Sequence, residues 1–159
     1  MKSFLAVAGL LCAASAFAQE APSRLDARAA QAIVAGCATH AQGRRQSFAI
    51  SVVDAGGHPV AALRMDGNSF GMMEFALAKA RAAAAWGFST ADMVEGARGT
   101  PGFAAAPHVV TVGGGVPIWS ADGRARLGAV GVSGGAPAAD AACAEAGIAA
   151  AGLRSQRAG

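Results

Sequence analysis

The chain has 159 residues, a length that suits one domain with a core large enough to fold unaided. Its formal charge of +3 comes from basic residues that are spread out, which excludes the basic stripe of a nucleic-acid-binding protein. Alanine and glycine are abundant and tyrosine is missing, a composition that favours closely packed helices and tight turns.

The first eighteen residues have the pattern of a secretory signal peptide. Lys2 precedes an apolar run from Phe4 to Phe17, and the small residues around Phe17 form a cleavage site that ends at Ala18. The run is shorter than the ~18 apolar residues of a membrane-spanning helix. We therefore expect cleavage after Ala18, a periplasmic or secreted location and no membrane span. Residues 19–153 are then expected to form a single domain.

A helix and a β-hairpin are predicted next. Residues Ser23 to Asp26 have the form of a capping box, and apolar residues then recur at helical spacing to about Gln42. The pattern changes to a β-rich run from Ser47 to Asp54, which a Gly56-Gly57 turn separates from a second run, Pro59 to Met65. Two such runs around a glycine turn predict an antiparallel hairpin.

The second predicted helix runs from about Gly71 to Trp86, and Asn68 or Ser69 can cap it. It is almost entirely apolar, and its charged residues are Glu74, Lys79 and Arg81. A helix with so few polar positions is buried on most sides or lies in an interface. For this reason we expect a homo-oligomer, at least a dimer.

Residues 87–107 show a weaker pattern and are predicted to form the rim or lid of a site, with a helical turn at 91–96. Three strands are predicted beyond it, at residues 108–112, 116–119 and 124–133. Pro137 then opens a last helix that ends near Leu153, and residues 154–159 are expected to be a disordered tail. The fold class is therefore α+β, with a five-stranded, mainly antiparallel sheet flanked by helices.

Two cysteines follow the signal peptide, and their state is open. Cys37 and Cys143 can pair in an exported protein, where disulfides persist. Each also lies in an alanine-rich helical stretch, where a lone cysteine is commonly a small buried hydrophobic residue. The sequence does not show whether their Cα atoms lie within the ~7 Å that a disulfide requires.

Several polar residues belong to otherwise apolar elements and are candidate site residues. They are Arg64, Asp66, Lys79, Arg81, Ser133 and Asp140. One interpretation is that they form ion pairs that hold the elements together, because a buried charge needs a partner. The other is that Lys79 or Arg81 meets a carboxylate of a ligand, and that the backbone at Ser133 and Gly134 receives an anion at a helix start.

Two histidines are candidate metal ligands. His58 lies in the hairpin turn and His108 follows the predicted rim. Imidazole is a common axial ligand of haem iron, although surface histidines without such a role are commoner. The sequence has no CxxC spacing for zinc, no GxSxG nucleophile elbow, and neither a dinucleotide fingerprint nor a phosphate loop.

Four short blocks carry a family resemblance. They are AISVVDAGGHPVAALRMDG, ALAKARAAA, GGGVPIW and GAVGVSGG, in that order, with Asp140 just beyond them. Together they resemble the GlcG/HbpS family of small haem-binding proteins, which includes the C-terminal domain of PduO-type corrinoid adenosyltransferases. The resemblance implies a profilin-like fold and an assembly of up to eight subunits. It also places the following residues at motif positions: Arg64, Asp66, Lys79, Gly114, Gly115, Pro117, Gly131, Ser133, Gly134 and Asp140.

The leading hypothesis is an exported protein that binds haem non-covalently, in order to sequester, deliver or sense it, without turnover. No CxxCH motif is present for covalent attachment. His58 and His108 are the predicted axial ligands, and Lys79 or Arg81 would meet the propionates. The alternatives are an enzyme for a carboxylate-bearing metabolite, with Asp66 or Asp140 as acid or base and Lys79 holding or activating the substrate, and a corrinoid-binding module.

Overall fold

Residues 24–159, the part of the chain that the computed structural model describes, contain four α-helices, four strands and a short 3₁₀ helix at Phe103–Ala105. The helices are α1 Ala27–Gly43, α2 Phe70–Trp86, α3 Thr90–Gly99 and α4 Pro137–Ala150. The strands are β1 Ala49–Asp54, β2 Pro59–Arg64, β3 Gly115–Trp119 and β4 Arg126–Ser133. The predicted signal peptide and Ser23 lie outside the described residues; α1 begins after Asp26, whose side chain accepts the Ala29 N–H.

The strands form one antiparallel sheet in the order β2-β1-β4-β3, with helices on both faces. Alternate residues of a strand point to opposite faces. Val52 and Val130 therefore join the core beneath α1 and α4, whereas Val53 and Ala129 pack against α2. The predicted α+β class, the hairpin and the antiparallel sheet are confirmed.

The prediction of a fifth strand is wrong. Residues 108–112 have three valines and the β propensity that suggested a strand, but they pair with no neighbour. His108 has a φ of 59°, in the left-handed region, so the chain turns where an extended strand would have to begin. Among the described residues, the sheet therefore has four strands.

A disulfide joins the two helices on one face of the sheet. Cys37 of α1 and Cys143 of α4 are both buried, and their Cα atoms lie 4.7 Å apart. The helices approach closely beside it, because a Cβ on Gly147 would collide with the Ile33 carbonyl oxygen. The pairing that the sequence left open is thus present in the structure.

Helix α2 lies directly against the sheet, because glycines of β3 and β4 leave room for its backbone. A Cβ on Gly131 would collide with the Ala76 carbonyl oxygen, and one on Gly115 with that of Lys79. The helix begins at the predicted cap, where the Ser69 side chain accepts the Met72 N–H. Its alanines face the sheet, and several large apolar side chains lie on its outer surface.

Two segments are more ordered than the sequence suggested. The predicted short turn at 91–96 is a ten-residue helix, α3, which begins at a capping box between Ser89 and Asp92. The predicted disordered tail instead returns to the sheet edge, since Arg154 exchanges two backbone hydrogen bonds with Trp119. Within residues 24–159, no helix combines the length and apolarity needed to cross a bilayer.

The disulfide gives a direct test of how α1 and α4 are held. Replacing both cysteines, Cys37→Ala with Cys143→Ala, should lower the free energy of unfolding by about 2–5 kcal/mol, because the bridge restricts a long loop of the unfolded chain. Urea unfolding in oxidising buffer would measure the loss, and a reductant should leave the double variant unchanged. Two free thiols in the denatured, unreduced protein lacking residues 1–18 would contradict the pairing.

Candidate functional site

The structure distributes the predicted site residues over three places. His58, Arg81 and His108 line one cleft of about 220 Å³. Lys79, Ser133 and Gly134 lie with Asp140 around a second, of about 180 Å³. Arg64 and Asp66 line a third cleft at the end of β2, beside the last turns of α1. A further cleft, of about 340 Å³, lies between the start of the predicted rim segment and the C-terminal tail, and none of the candidate ligand-binding side chains lines it.

Asp54 fixes the turn that carries His58. Its Oδ1 atom accepts the backbone N–H groups of Gly56 and His58, at 2.9 and 3.0 Å. The Nδ1 atom of the His58 ring lies 3.3 Å from the same oxygen. A carboxylate at this position favours the tautomer with hydrogen on Nδ1, which leaves the Nε2 lone pair free for a metal.

The hydrogen bonds of the hairpin turn also change the pKa of the Asp54 carboxyl group. The backbone N–H of His58 is the main cause that lowers the pKa of Asp54 below its ordinary 3.8, although partial burial opposes the shift. Because the folded pKa is lowered, ionised Asp54 stabilises the fold above pH 3.8 and loses that contribution as the pH falls through the lowered value. The carboxylate is therefore ionised at neutral pH, where it keeps its contact with the His58 ring.

Two further side chains complete the first cleft. Arg81 Nε donates to the Gly57 carbonyl oxygen at 3.2 Å, which ties the outer side of α2 to the hairpin turn. His108 enters from the segment after α3, and the Trp86 indole N–H donates to Pro107 O at 3.1 Å to hold that segment against α2. Two imidazoles and a guanidinium thus line one opening walled by small residues: Ala55, Gly56, Gly57 and Ala85.

Lys79 and Asp140 form a buried ion pair. Lys79 Nζ lies 2.9 Å from Asp140 Oδ2 and donates to the Val132 carbonyl oxygen at 2.9 Å. Both side chains are at most 2% exposed. The other carboxylate oxygen, Oδ1, accepts the Gly135 N–H at 2.9 Å. The ion-pair interpretation is therefore confirmed for Lys79, with Asp140 as its partner.

The remaining candidates have structural contacts of their own. The guanidinium of Arg64 donates to the Asn68 carbonyl oxygen, and the backbone carbonyl of Asp66 accepts the Ser47 hydroxyl at 2.6 Å. Both lie at the β2–α2 connection, in a different cleft from the histidines. Ser133 is buried beneath Met72, to whose sulfur its hydroxyl donates at 3.4 Å.

The structure adds Asp54 to the residues around the histidine cleft. The sequence predicts this residue only as the end of a strand, yet its carboxylate contacts the ring of His58, four residues away. Its position before two glycines is the signature of an Asx turn, in which the side chain accepts backbone N–H groups, and that signal could have identified it. Among residues 24–159, no cluster of three or more His, Cys, Asp or Glu side chains is arranged to hold a metal ion by itself.

Comparison with known proteins identifies the family of this α+β domain. The model of a family described as "Haem degrading protein HbpS-like" matches residues 25–149. The chain therefore belongs to the HbpS-like family, and the resemblance to GlcG/HbpS proteins is confirmed. No curated protein matches it.

Solved structures show the same fold. PduOC, solved in complex with haem, is 26% identical to this chain and gives a TM-score of 0.75. The alignment covers 84% of this chain and 99% of PduOC. Protein ORFY of Klebsiella pneumoniae is 24% identical, with 86% and 97% covered and a TM-score of 0.74. A double mutant of Streptomyces reticuli HbpS is also 24% identical, with 91% and 97% covered and a TM-score of 0.74.

The buried pair should be essential for stability. Lys79→Met keeps the length of the side chain but leaves the Asp140 carboxylate without its cation, which should cost about 3–5 kcal/mol of unfolding free energy. Arg81→Met, an exposed position on the same helix, is the matched control and should change stability by less than about 1 kcal/mol. Urea unfolding measures both. Equal losses in the two variants would contradict the structural role of Lys79.

Proposed function

We propose that this protein binds haem non-covalently at the cleft of His58, Arg81 and His108. The observation that carries the proposal is the Asp54 contact, which directs the His58 ring so that Nε2 is free. Membership of the HbpS-like family and similarity to PduOC, solved with haem, support it. Both cysteines of the described chain are in a disulfide, so neither is free to attach a porphyrin.

The donor set of this cleft fits haem. Neutral imidazole is a common axial ligand of haem iron. The Arg81 guanidinium uses one N–H on Gly57 and has further donors for a propionate, which planar guanidinium binds well. Gly56 lets the imidazole lie over the turn, because a Cβ there would come within 2.9 Å of His58 Nδ1. When bound, haem would supply redox and gas-binding chemistry at its iron, and this chain's residues would hold and orient it.

The role that we propose is sequestration, delivery or sensing of haem. The lining of the cleft includes no carboxylate, and the carboxylate of Asp54 beside it is already occupied by three hydrogen-bonding contacts. The family's description names haem degradation, so turnover is the competing outcome. A Soret band that stays constant with a reductant present favours binding alone, and one that decays with release of iron favours degradation.

We further propose that the protein assembles with copies of itself. The outer face of α2 exposes large apolar side chains, of which Phe70 is 76% exposed; the others are Met72, Phe75 and Trp86. A cleft of about 220 Å³ lies below the ~300–1,000 Å³ of pockets that enclose drug-sized ligands. A bound haem would therefore extend beyond the cleft, and a second subunit over the exposed apolar side chains would remove them from water.

Haem titration with matched variants tests the binding site. The wild-type protein should give a Soret shift that saturates at one haem per subunit, with light scattering of the same sample showing an oligomer. His58→Ala or His108→Ala should alter the Soret and visible bands, whereas His40→Ala on α1 should not. Arg81→Ala should weaken binding by about 1 kcal/mol, roughly fivefold, and Arg64→Ala should not.

Two results would contradict parts of this proposal. Imidazole ligation would be excluded if His58→Ala and His108→Ala both kept the wild-type haem spectrum and affinity, with unchanged circular dichroism. A parallel titration with cobalamin separates haem from a corrinoid, and tighter binding of cobalamin would favour the corrinoid alternative.

We also propose that the protein is exported, on the basis of the charged start, apolar run and cleavage pattern of residues 1–18. When a bacterial host expresses the full chain, the exported fraction should begin at Gln19. Intact-mass analysis of that fraction is the test, and a mass that still includes Met1 would refute the proposal.

A further inference from the structure

A second cavity lies on the other side of α2 from the histidine cleft. Met72, Phe75 and Lys79 line it and follow one another at helical spacing of three and four residues. Arg81 and Ala85, which line the histidine cleft, belong to the opposite side of the same helix. The two cavities have no lining residue in common, so a ligand in one leaves the other open.

The cavity has apolar walls and a polar floor. Met72, Phe75 and Val112 form the walls. The floor is the buried group of Lys79, Ser133 and Asp140, with the backbone of Gly134 and Gly135. Its volume of about 180 Å³ corresponds to roughly six water molecules at ~30 Å³ each. A tetrapyrrole is too large for this space, whereas a molecule of a few carbon atoms fits.

Ser133 is a buried donor without a strong partner. Its side chain is 2% exposed, and within residues 24–159 its hydroxyl meets no oxygen or nitrogen at hydrogen-bond distance. It contacts only the Met72 thioether at 3.4 Å, and thioether sulfur is a weak acceptor. A buried hydroxyl that faces a cavity in this state is suited to donate to a ligand oxygen.

Lys79 has a donor that its partners do not use. An ammonium group has three hydrogens. Two are directed to Asp140 Oδ2 and the Val132 carbonyl, and Nζ lies 4.7 Å from the centroid of the Phe75 ring, which lines the cavity. The Asp140 carboxylate is itself balanced by the ammonium and by the Gly135 N–H. The floor can therefore offer hydrogens without presenting a bare negative charge.

The start of α4 adds to this preference. The helix begins at Pro137, and the Ala136 cap has no side chain that accepts its first N–H groups. The N-terminal end of a fourteen-residue helix carries a partial positive charge that favours an anion nearby. With Ser133 and Lys79, the electrostatic balance of the floor favours a carboxylate over an uncharged ligand of equal size.

From these observations we infer a second binding site, for a short-chain monocarboxylate. Its carboxylate accepts from the Ser133 hydroxyl and the free Lys79 hydrogen, and its alkyl chain packs between Met72 and Phe75. This site is independent of haem. The volume of the cavity limits this anion to a few carbon atoms.

Titration with propionate tests the site, and propionamide is the uncharged control of the same shape. Amide resonances of Gly134 and Gly135 should shift saturably with propionate, and propionamide should bind about tenfold more weakly, since a hydrogen bond to a charged group is worth about 1.5–3 kcal/mol. Ser133→Ala should weaken propionate binding several-fold, while Ser155→Ala in the tail should leave it unchanged.

Further variants keep the test decisive. Met72→Trp fills the cavity from a position that is 40% exposed, so it should abolish binding even if Ser133→Ala fails to fold. His58→Ala and Arg81→Ala should bind propionate normally, which separates this inference from the haem proposal. Three results would overturn the inference of a carboxylate site: equal affinity for propionate and propionamide, no saturable shift, or shifts at Gly56 and Gly57 instead of Gly134 and Gly135.

Discussion

The contact between α2 and the sheet is the constraint on which the rest of the structure depends. Gly131 and Gly115 bring the helix backbone into contact with the strands, where a side chain of any size would separate them. Only at this short distance can the Lys79 side chain reach past the sheet to Asp140 of α4. Gly114 also leaves room for the Lys79 ammonium group, because a Cβ there would lie 2.9 Å from Lys79 Nζ.

The buried pair joins elements that are distant in sequence. Lys79 belongs to α2, Val132 to β4 and Asp140 to α4, so one ammonium connects both layers of helices through the sheet. Burying two charges is costly unless each is fully hydrogen-bonded. The second oxygen of the Asp140 carboxylate meets this need by accepting the Gly135 N–H. This arrangement fixes the start of α4, and α2 then separates a histidine-lined cleft on one side from a small polar cavity on the other.

Much of the fold could be predicted, because each correct element depends on local signals. Glycine turns, helical spacing and the Ser69 cap located the hairpin and α2. The failures depend on distant partners: three valines suggest a strand at 108–112, but no neighbour pairs with them. The candidate site residues likewise divide into those with a local sequence signal and those that depend on a distant partner. His58, His108 and Arg81 were selected by residue type, whereas the Lys79–Asp140 pairing joins residues 61 positions apart and leaves no local pattern.

The return of the C-terminal segment to Trp119 affects how the sheet meets its surroundings. β2 and β3 are the outer strands, and exposed outer strands tend to recruit strands from other molecules. Arg154 occupies part of the outer side of β3, and Pro117 removes a backbone donor from its middle. At the other edge, β2 begins with Pro59 and has only six residues. The sheet is thereby poorly suited to edge-to-edge growth, which protects a small, alanine-rich protein from forming extended β aggregates.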